Sequence, residues 1–417
     1  MRTSAILSLC LLVAAGASGQ DASPPRTKAE VIARWEKGRP LFRDWQNRAT
    51  YADLNSPFVV GEPRAAYIDD GLRMLNFLRY LAGMPDDARI DRDLNYKSQV
   101  LTAINTMNDV NSHDPERPEG MPKELYDIGF AVGHACNLQY AVSRGYLHPN
   151  AVGSEIEGWG PFPMLAQYRR YELARMTLDC WADSDSRNLA KIQHRRNLMR
   201  PEIAKVGYGY IDTYEEAYMD EDEAEDALGQ AVWDEGMTPY WRHLRQYMAS
   251  YVLDDSRASI PDYDYFAWPS RGYFPLQFWN YGRGLYPWSV TLNPAKYSAP
   301  DPNALAVELS DAAGSFKIVL NKTTRLREYG MIGAYDIDDS DAVKPFLHYV
   351  PGTAHWQPMI HFFPGENRLP EARAGDRYRV KIQGLKDRQG KAVTISYWVE
   401  FLDLPNAAWI LEPSFDN

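Results

Sequence analysis

The spacing of apolar residues changes along the chain, and this change constrains the fold more than any other feature. In the first half, apolar residues recur every three or four positions, as at Leu72, Leu75 and Leu78, which is typical of amphipathic helices. From about Val290 this spacing disappears, and apolar residues occupy every second position of the segment 393–401, which is typical of a half-buried strand. We therefore predict an α+β protein in which a part rich in helices precedes an all-β part.

The 417 residues are too many for one ordinary core, and the pattern divides them into four parts. We predict a signal peptide over residues 1–19, an N-terminal leader over 20–63, a first domain over 64–282 and a β-sandwich domain over 290–405. Helices are predicted at 28–37, 69–82, 95–109, 133–144, 164–181 and 189–199. Strands are predicted at 205–211, 304–319, 345–350, 359–363, 377–382 and 392–402.

The first residues have the pattern of a secretory signal peptide. Arg2 precedes an apolar run from Ala5 to Ala15, and small residues follow up to Gly19, after which we expect cleavage. The run is shorter than the ~20 apolar residues that a membrane-spanning helix needs. We therefore expect an exported protein, secreted or periplasmic, without a transmembrane segment. Its formal net charge of −11 argues against nucleic acid as a partner, because no basic excess is present to neutralise phosphates.

Cysteine usage leaves two alternatives open. Cleavage of the signal peptide removes Cys10 and leaves Cys136 and Cys180. In an oxidising compartment these two can form a disulfide, which the chain-entropy model values at roughly 4 kcal/mol for a loop of this length. Two separately buried thiols are the alternative.

Several short motifs follow one another in a fixed order between residues 64 and 280. They are Leu75–Arg79, Ser112-His113, Ala135–Leu138, Trp181, Gln193–Arg196 with Val206–Gly209, and Trp268-Pro269 with Gly272–Pro275. In this order they resemble the CAP superfamily of cysteine-rich secretory, antigen-5 and pathogenesis-related proteins, in its bacterial form. The resemblance implies a three-layer α-β-α sandwich over residues 64–282. The strands after it are typical of an immunoglobulin-like β-sandwich.

The resemblance also implies a cleft with two histidines and two glutamates, where zinc can bind. The histidines carry over to His113 and His194, and neutral imidazoles are common zinc ligands. The glutamates do not carry over, because Cys136 and Ser184 occupy their positions. Asp183 or Asp185, on either side of Ser184, is available as a substitute for the second glutamate. Without the resemblance, His113 is read as a turn residue and His194 as a packing residue.

These observations lead to three hypotheses for function. The first is an exported binding protein with a cleft formed by His113, His194, Cys136 and Asp183, for a small ligand, lipid, glycan or partner protein. The second is a secreted hydrolase that uses a zinc ion held by the two histidines. The missing glutamates remove likely ligands and a general base, so they argue against catalysis. The third is a structural envelope or adhesion component that docks through the β-sandwich.

Overall fold

The computed structural model describes residues 26–42, 58–132, 136–146, 173–182, 192–218, 240–281, 287–324, 345–365 and 372–411. The side chains of 136–146, 212–218 and 240–246 lie outside this description. The described helices are α1 (Lys28–Gly38), α2 (Ala65–Ala82), α3 (Arg92–Asn108), α4 (Lys123–Phe130), α5 (Leu173–Ala182), α6 (Gln193–Leu198) and α7 (Leu276–Tyr281).

The described strands alternate with these helices at first and then follow one another, as predicted for an α+β chain. They are β1 (Arg89–Ile90), β2 (Cys136–Tyr146), β3 (Lys205–Tyr218), β4 (Tyr240–Tyr251), β5 (Tyr265–Trp268), β6 (Gly272–Pro275), β7 (Trp288–Leu292), β8 (Ala306–Asp311), β9 (Lys317–Leu320), β10 (Phe346–Val350), β11 (Met359–Phe363), β12 (Arg377–Lys386) and β13 (Ala392–Leu402). Short 3₁₀ helices cover Lys322–Thr324 and Ala408–Ile410. The α+β prediction is confirmed.

The first sheet has the strand order β1-β3-β4-β2, and helices pack on both of its faces. On one face, α3 approaches β3 so closely that a Cβ atom on Gly207 would lie 2.3 Å from the carbonyl oxygen of Leu94. On the other face, the ring of Tyr208 lies against Gly71 of α2, and the Tyr208 hydroxyl lies 3.4 Å from Thr177 Oγ1 of α5. Along β3, Gly207 therefore faces the backbone of α3, and the next residue, Tyr208, faces α2 and α5 on the other side of the sheet.

Polar side chains of α3 also cover the edge of β3 beyond the two residues that pair with β1. Asn95 Oδ1 accepts a hydrogen bond from the backbone N–H of Tyr208 at 2.9 Å. Gln99 accepts from the N–H of Tyr210 at 2.8 Å and donates to its carbonyl at 3.2 Å. These amides take the place of a neighbouring strand, because they pair the N–H groups of Tyr208 and Tyr210 and the carbonyl of Tyr210.

We expect Gly209→Ala to destabilise the protein by about 1–3 kcal/mol, because overpacking against backbone cannot be relieved by a side-chain rotation. A Cβ atom at this position would lie 2.4 Å from the Ser98 carbonyl oxygen of α3. Gly38→Ala is the matched control, since the atom nearest to its Cβ belongs to the flexible Arg34 guanidinium. Urea unfolding followed by circular dichroism measures both. Equal midpoints for the two variants would show that α3 can move away from β3 at no cost.

Two further sheets have the strand orders β10-β11-β7-β5 and β6-β13-β12-β8-β9, and they share one core. The indole ring of Trp279 lies between them, 5.7 Å from Trp288 in one sheet and 5.4 Å from Phe401 in the other. In β13 buried residues alternate with partly exposed ones from Ile395 to Phe401, as the sequence pattern predicts.

Strands β5 and β6 belong to these later sheets, although the sequence analysis places them in the first domain. Phe266 of β5 is in register with Thr291 of β7, and Phe274 of β6 is in register with Phe401 of β13. The predicted domain boundary between residues 282 and 290 therefore separates β5 and β6 from the strands to which they are hydrogen-bonded.

Helix α1 was predicted as part of the N-terminal leader, but its Trp35 is completely buried. The indole N–H of Trp35 donates to the Pro405 carbonyl at 2.7 Å.

One predicted helix was wrong. Residues 133–144 were expected to be helical, but Cys136–Tyr146 forms strand β2, which pairs antiparallel with β4. Leu138, Ala141 and Val142 fit a helical spacing as well as a strand, so pairing with β4 decides the outcome against the local pattern. The strands predicted at 345–350, 359–363 and 392–402 are confirmed by β10, β11 and β13.

Two expectations about the exported chain concern residues that are only partly described. The signal peptide over residues 1–19 lies outside the described residues. Cys180 is disulfide-bonded, and its expected partner, Cys136, lies in β2, outside the described side chains. In the described part of the chain, no helix is both long and apolar enough to cross a membrane.

Candidate ligand site at His113 and His194

The structure brings the rings of His113 and His194 together from distant parts of the sequence. Their ring centroids are 6.2 Å apart, and the ring planes are inclined by 38°. His194 is only 8% exposed, whereas His113 is exposed. A buried imidazole and a solvent-facing imidazole therefore lie side by side.

Side-chain hydrogen bonds fix the loop that carries His113. Helix α3 ends at Asp109 in the left-handed conformation, with φ of 50°, and this carboxylate accepts a hydrogen bond from the Tyr247 hydroxyl of β4. Beyond the histidine, the Tyr126 hydroxyl of α4 donates to the Pro115 carbonyl at 2.9 Å. The loop is therefore held to the sheet before His113 and to α4 after it.

The buried guanidinium of Arg195 fixes helix α6, which carries His194. Arg195 is fully buried and donates to the carbonyls of Trp181 and Ala182, at 2.7 and 2.9 Å. It also donates to the Pro287 carbonyl at 2.7 Å and to Ser289 Oγ of β7 at 3.2 Å. One side chain thus joins the end of α5 to the first residues of a strand in a later sheet.

Two further contacts hold the end of α6. Arg79 of α2, also fully buried, donates to the carbonyls of Leu198 and Arg200 at 2.8 and 2.9 Å. The indole N–H of Trp356 donates to Asn197 Oδ1 at 2.6 Å. Since α6 has only six residues and a helix this short is unstable alone, these neighbours determine where His194 lies.

The other two predicted site residues lie outside the described side chains. Cys136 is described only by its backbone in β2, and Asp183 falls in the undescribed segment 183–191. Within the described ranges, no group of three or more His, Cys, Asp or Glu side chains could hold a metal ion. The described side chains therefore include two of the four predicted site residues and no third candidate metal ligand that forms a group with them.

A tetrahedral zinc ion provides a measure of the spacing between the two rings. Two imidazoles on one such ion have ring centroids about 5 Å apart, because each Zn–N bond is about 2.0–2.1 Å long. The centroids of His113 and His194 are 6.2 Å apart, so the exposed ring would have to move inward by about 1 Å to share an ion. Alternatively, both rings can contact different atoms of one larger polar ligand.

Sequence reasoning missed a second histidine pair, His348 of β10 and His361 of β11. These residues are in register, and their ring centroids are 5.0 Å apart. His361 is completely buried, and neither of its ring nitrogens has a hydrogen-bond partner among the described residues. Burial, followed by the positive charges of His348, Arg195 and Arg196, lowers the pKa of His361 well below its ordinary value.

A signal for this second pair was present in the sequence. The segments 345–350 and 359–363 are both predicted strands, and each contains one histidine. Only the pairing of these strands places the two side chains on facing positions, and strand pairing cannot be read from a single sequence pattern.

Comparison of the chain with models of protein families, with curated proteins and with solved structures found no match. The CAP-like and immunoglobulin-like assignments therefore stay predictions. What is established for the site is its geometry, namely two neighbouring imidazoles on two separately anchored segments.

Proposed function

We propose that this chain is an exported binding protein in which His113 and His194 contact the same bound group. The observation that carries the proposal is the separation of 6.2 Å between their ring centroids. The exposed ring is accessible to a ligand from solvent, and the buried ring is fixed by its surroundings. Imidazole accepts a hydrogen bond or binds a metal when neutral, and donates when protonated. A polar or metal-bound group of a small molecule, glycan, lipid or partner protein suits such a pair.

The neighbouring rings support this proposal over the alternative in which His113 is only a turn residue and His194 only a packing residue. Neither of those roles requires the two rings to meet, yet their centroids are 6.2 Å apart, and the exposed His113 lies in a loop anchored on both sides. The helices on both faces of the first sheet agree with the three-layer arrangement implied by the CAP resemblance. The glycines of β3 that the resemblance includes, Gly207 and Gly209, lie where α3 touches the sheet.

Zinc alone serves as the probe for a shared site. We expect metal-free wild-type protein to bind Zn²⁺ in a calorimetric titration. His113→Ala and His194→Ala should each weaken binding roughly tenfold or more, because one imidazole cannot chelate. The double variant should bind no more weakly than either single variant, since residues that act on one ligand are not additive.

His355→Ala is the matched control, because His355 is exposed in another loop and its loss should leave Zn²⁺ affinity unchanged. Unfolding midpoints of all variants separate a local loss of binding from a loss of folding. If the wild type binds no Zn²⁺, the two rings do not share a metal ion, and if both site variants keep wild-type affinity, Zn²⁺ binds elsewhere. Either result would contradict the metal-binding form of the proposal.

A zinc-dependent hydrolase is the second candidate, because the same ring spacing comes close to that of a shared ion. Two protein ligands would leave positions for water, and zinc lowers the pKa of bound water toward ~7. For this candidate, we expect the Zn²⁺-loaded wild type to hydrolyse an activated ester. Both histidine variants should lose this activity. Stoichiometric Zn²⁺ binding without hydrolysis would leave only the binding function.

A further inference from the structure

A cavity that neither histidine lines lies where three segments of the C-terminal part meet. It has a volume of about 310 Å³, at the small end of the range for ligand pockets, about 300–1,000 Å³. The turn after β7, the end of β10 with the loop that follows it, and the turn between β12 and β13 form its walls. The lining includes Tyr297, Tyr349, Thr353, Trp356, Gln357 and Arg388.

Hydrogen bonds between the segments fix the shape of this cavity. Tyr297 forms an isolated β-bridge with Asp387, and the Arg388 N–H donates to the Lys296 carbonyl at 3.1 Å. The loop after β10 closes on itself through the Thr353 N–H, which donates to the Trp356 carbonyl at 2.8 Å. The walls are therefore formed before a ligand arrives.

Three aromatic rings supply the contact surface. The Trp356 ring is locked, because its N–H bonds Asn197 Oδ1 and the Arg196 guanidinium lies 5.0 Å from its ring centroid. Tyr297 and Tyr349 are half-buried. Rigid tyrosine and tryptophan rings present a flat apolar body with a polar tip. They suit a ligand that has both an apolar face and hydroxyl groups.

Three polar groups of the pocket are available to a ligand, whereas Gln357 and Thr353 already hydrogen-bond to protein groups. In the described part of the chain, the hydroxyls of Tyr297 and Tyr349 and the guanidinium of Arg388 make no hydrogen bond or ion pair. Burial raises the pKa of Tyr297 to about 12 and also raises that of Tyr349, so both hydroxyls are neutral donors near pH 7. The Oδ1 atom of the adjacent Asp387 carboxylate accepts hydrogen bonds from the N–H groups of Gln389 and Lys391.

We propose that this pocket binds a carboxylated saccharide, with its sugar ring against the aromatic side chains and its carboxylate on Arg388. A guanidinium binds a carboxylate through two parallel hydrogen bonds, and among the described residues of the lining Arg388 alone has a charged side chain. The open, polar rim favours a sugar over a flat aromatic acid, which prefers an enclosed apolar slot. Neither His113 nor His194 lines this pocket, although Trp356 also bonds Asn197 of the helix that carries His194.

Glucuronate, glucose and benzoate are the probes, titrated into full-length protein and followed by saturation-transfer NMR. We expect saturable binding of glucuronate, with glucose and benzoate each weaker by about tenfold. Arg388→Gln should weaken glucuronate binding about tenfold, the usual effect of losing a charged hydrogen-bond partner. Tyr349→Phe should weaken it by about threefold, because one neutral hydrogen bond is lost.

Arg373→Gln is the matched control, since Arg373 is exposed and does not line the pocket; it should bind like the wild type. His194→Ala should also retain glucuronate binding, which separates this site from the histidine pair. Absence of saturable glucuronate binding, preference for benzoate, or unchanged affinity in Arg388→Gln would each overturn the proposal.

Discussion

Arg195→Met is expected to lower the free energy of unfolding by about 3 kcal/mol and to weaken Zn²⁺ binding at His194. The substitution keeps a similar volume but leaves the carbonyls of Trp181, Ala182 and Pro287 without the donor that they have in the wild type. A buried acceptor that loses its partner costs about 1–3 kcal/mol, and removal of a buried cation offsets part of the sum. The helix that carries His194 also loses its attachment to α5 and β7. Urea unfolding gives the first effect and calorimetric titration the second.

Arg196→Met is the control for this prediction. The neighbouring Arg196 donates longer hydrogen bonds, at 3.2 and 3.5 Å, to the carbonyls of Pro351 and Gln357, and its guanidinium lies 5.0 Å from the centroid of the Trp356 ring. Because these hydrogen bonds are longer than those of Arg195, we expect a smaller loss, of about 1 kcal/mol. If the two variants unfolded at the same urea concentration, the buried guanidinium of Arg195 would not be the group that holds α6 in place.

A fall in pH below about 6.5, the ordinary pKa of histidine, is expected to destabilise the protein through His361. Burial and then the charges of His348, Arg195 and Arg196 lower its pKa in the folded state, so the unfolded state binds the proton more readily. The resulting penalty is absent above pH 6.5. It grows by about 1.4 kcal/mol for each pH unit below this value, until the pKa of the folded state is reached.

His361→Leu should remove this acid sensitivity. Unfolding free energies at pH 7.5 and 5.5 should differ by about 1.4 kcal/mol less in the variant than in the wild type. Near neutral pH the variant should be at least as stable, since it replaces a buried ring whose two nitrogens have no partner among the described residues. His355→Leu, at an exposed position, should keep the wild-type difference. An unchanged difference in His361→Leu would assign the acid response to other groups.

The strands of the C-terminal part could be predicted from sequence because their burial follows a local alternation. In β13 this alternation is long and regular, and its ends were predicted correctly. Strand β2 could not be recognised in the same way. Its apolar residues fit two periods equally well, and β4, its partner, lies about a hundred residues further along the chain. The whole fold decides whether strands this far apart in the sequence pair, so the sequence of the β2 segment alone does not show it.

The two sites differ in how far the sequence predicts them. The residue pattern alone favours a turn role for His113 and a packing role for His194, and only the order of motifs indicated that they belong together. The pocket around Tyr349 and Arg388 was not predicted, because it is formed by segments that are separate in the sequence. No local sequence pattern shows that these segments meet in the folded protein.

The side chain of Arg195 has a consequence for how this protein can be divided or recombined. Its guanidinium binds the last carbonyls of α5 and also Pro287 and Ser289, which lie within the predicted boundary region, 282–290. A polypeptide that ended at residue 282 would keep His194 but lose Pro287, Ser289 and Trp356, which anchor its helix. The N-terminal half therefore cannot be transferred to another protein without losing these contacts. Gene fusions or exchanges of the C-terminal sheets would have to preserve the contacts of Arg195 with Pro287 and Ser289.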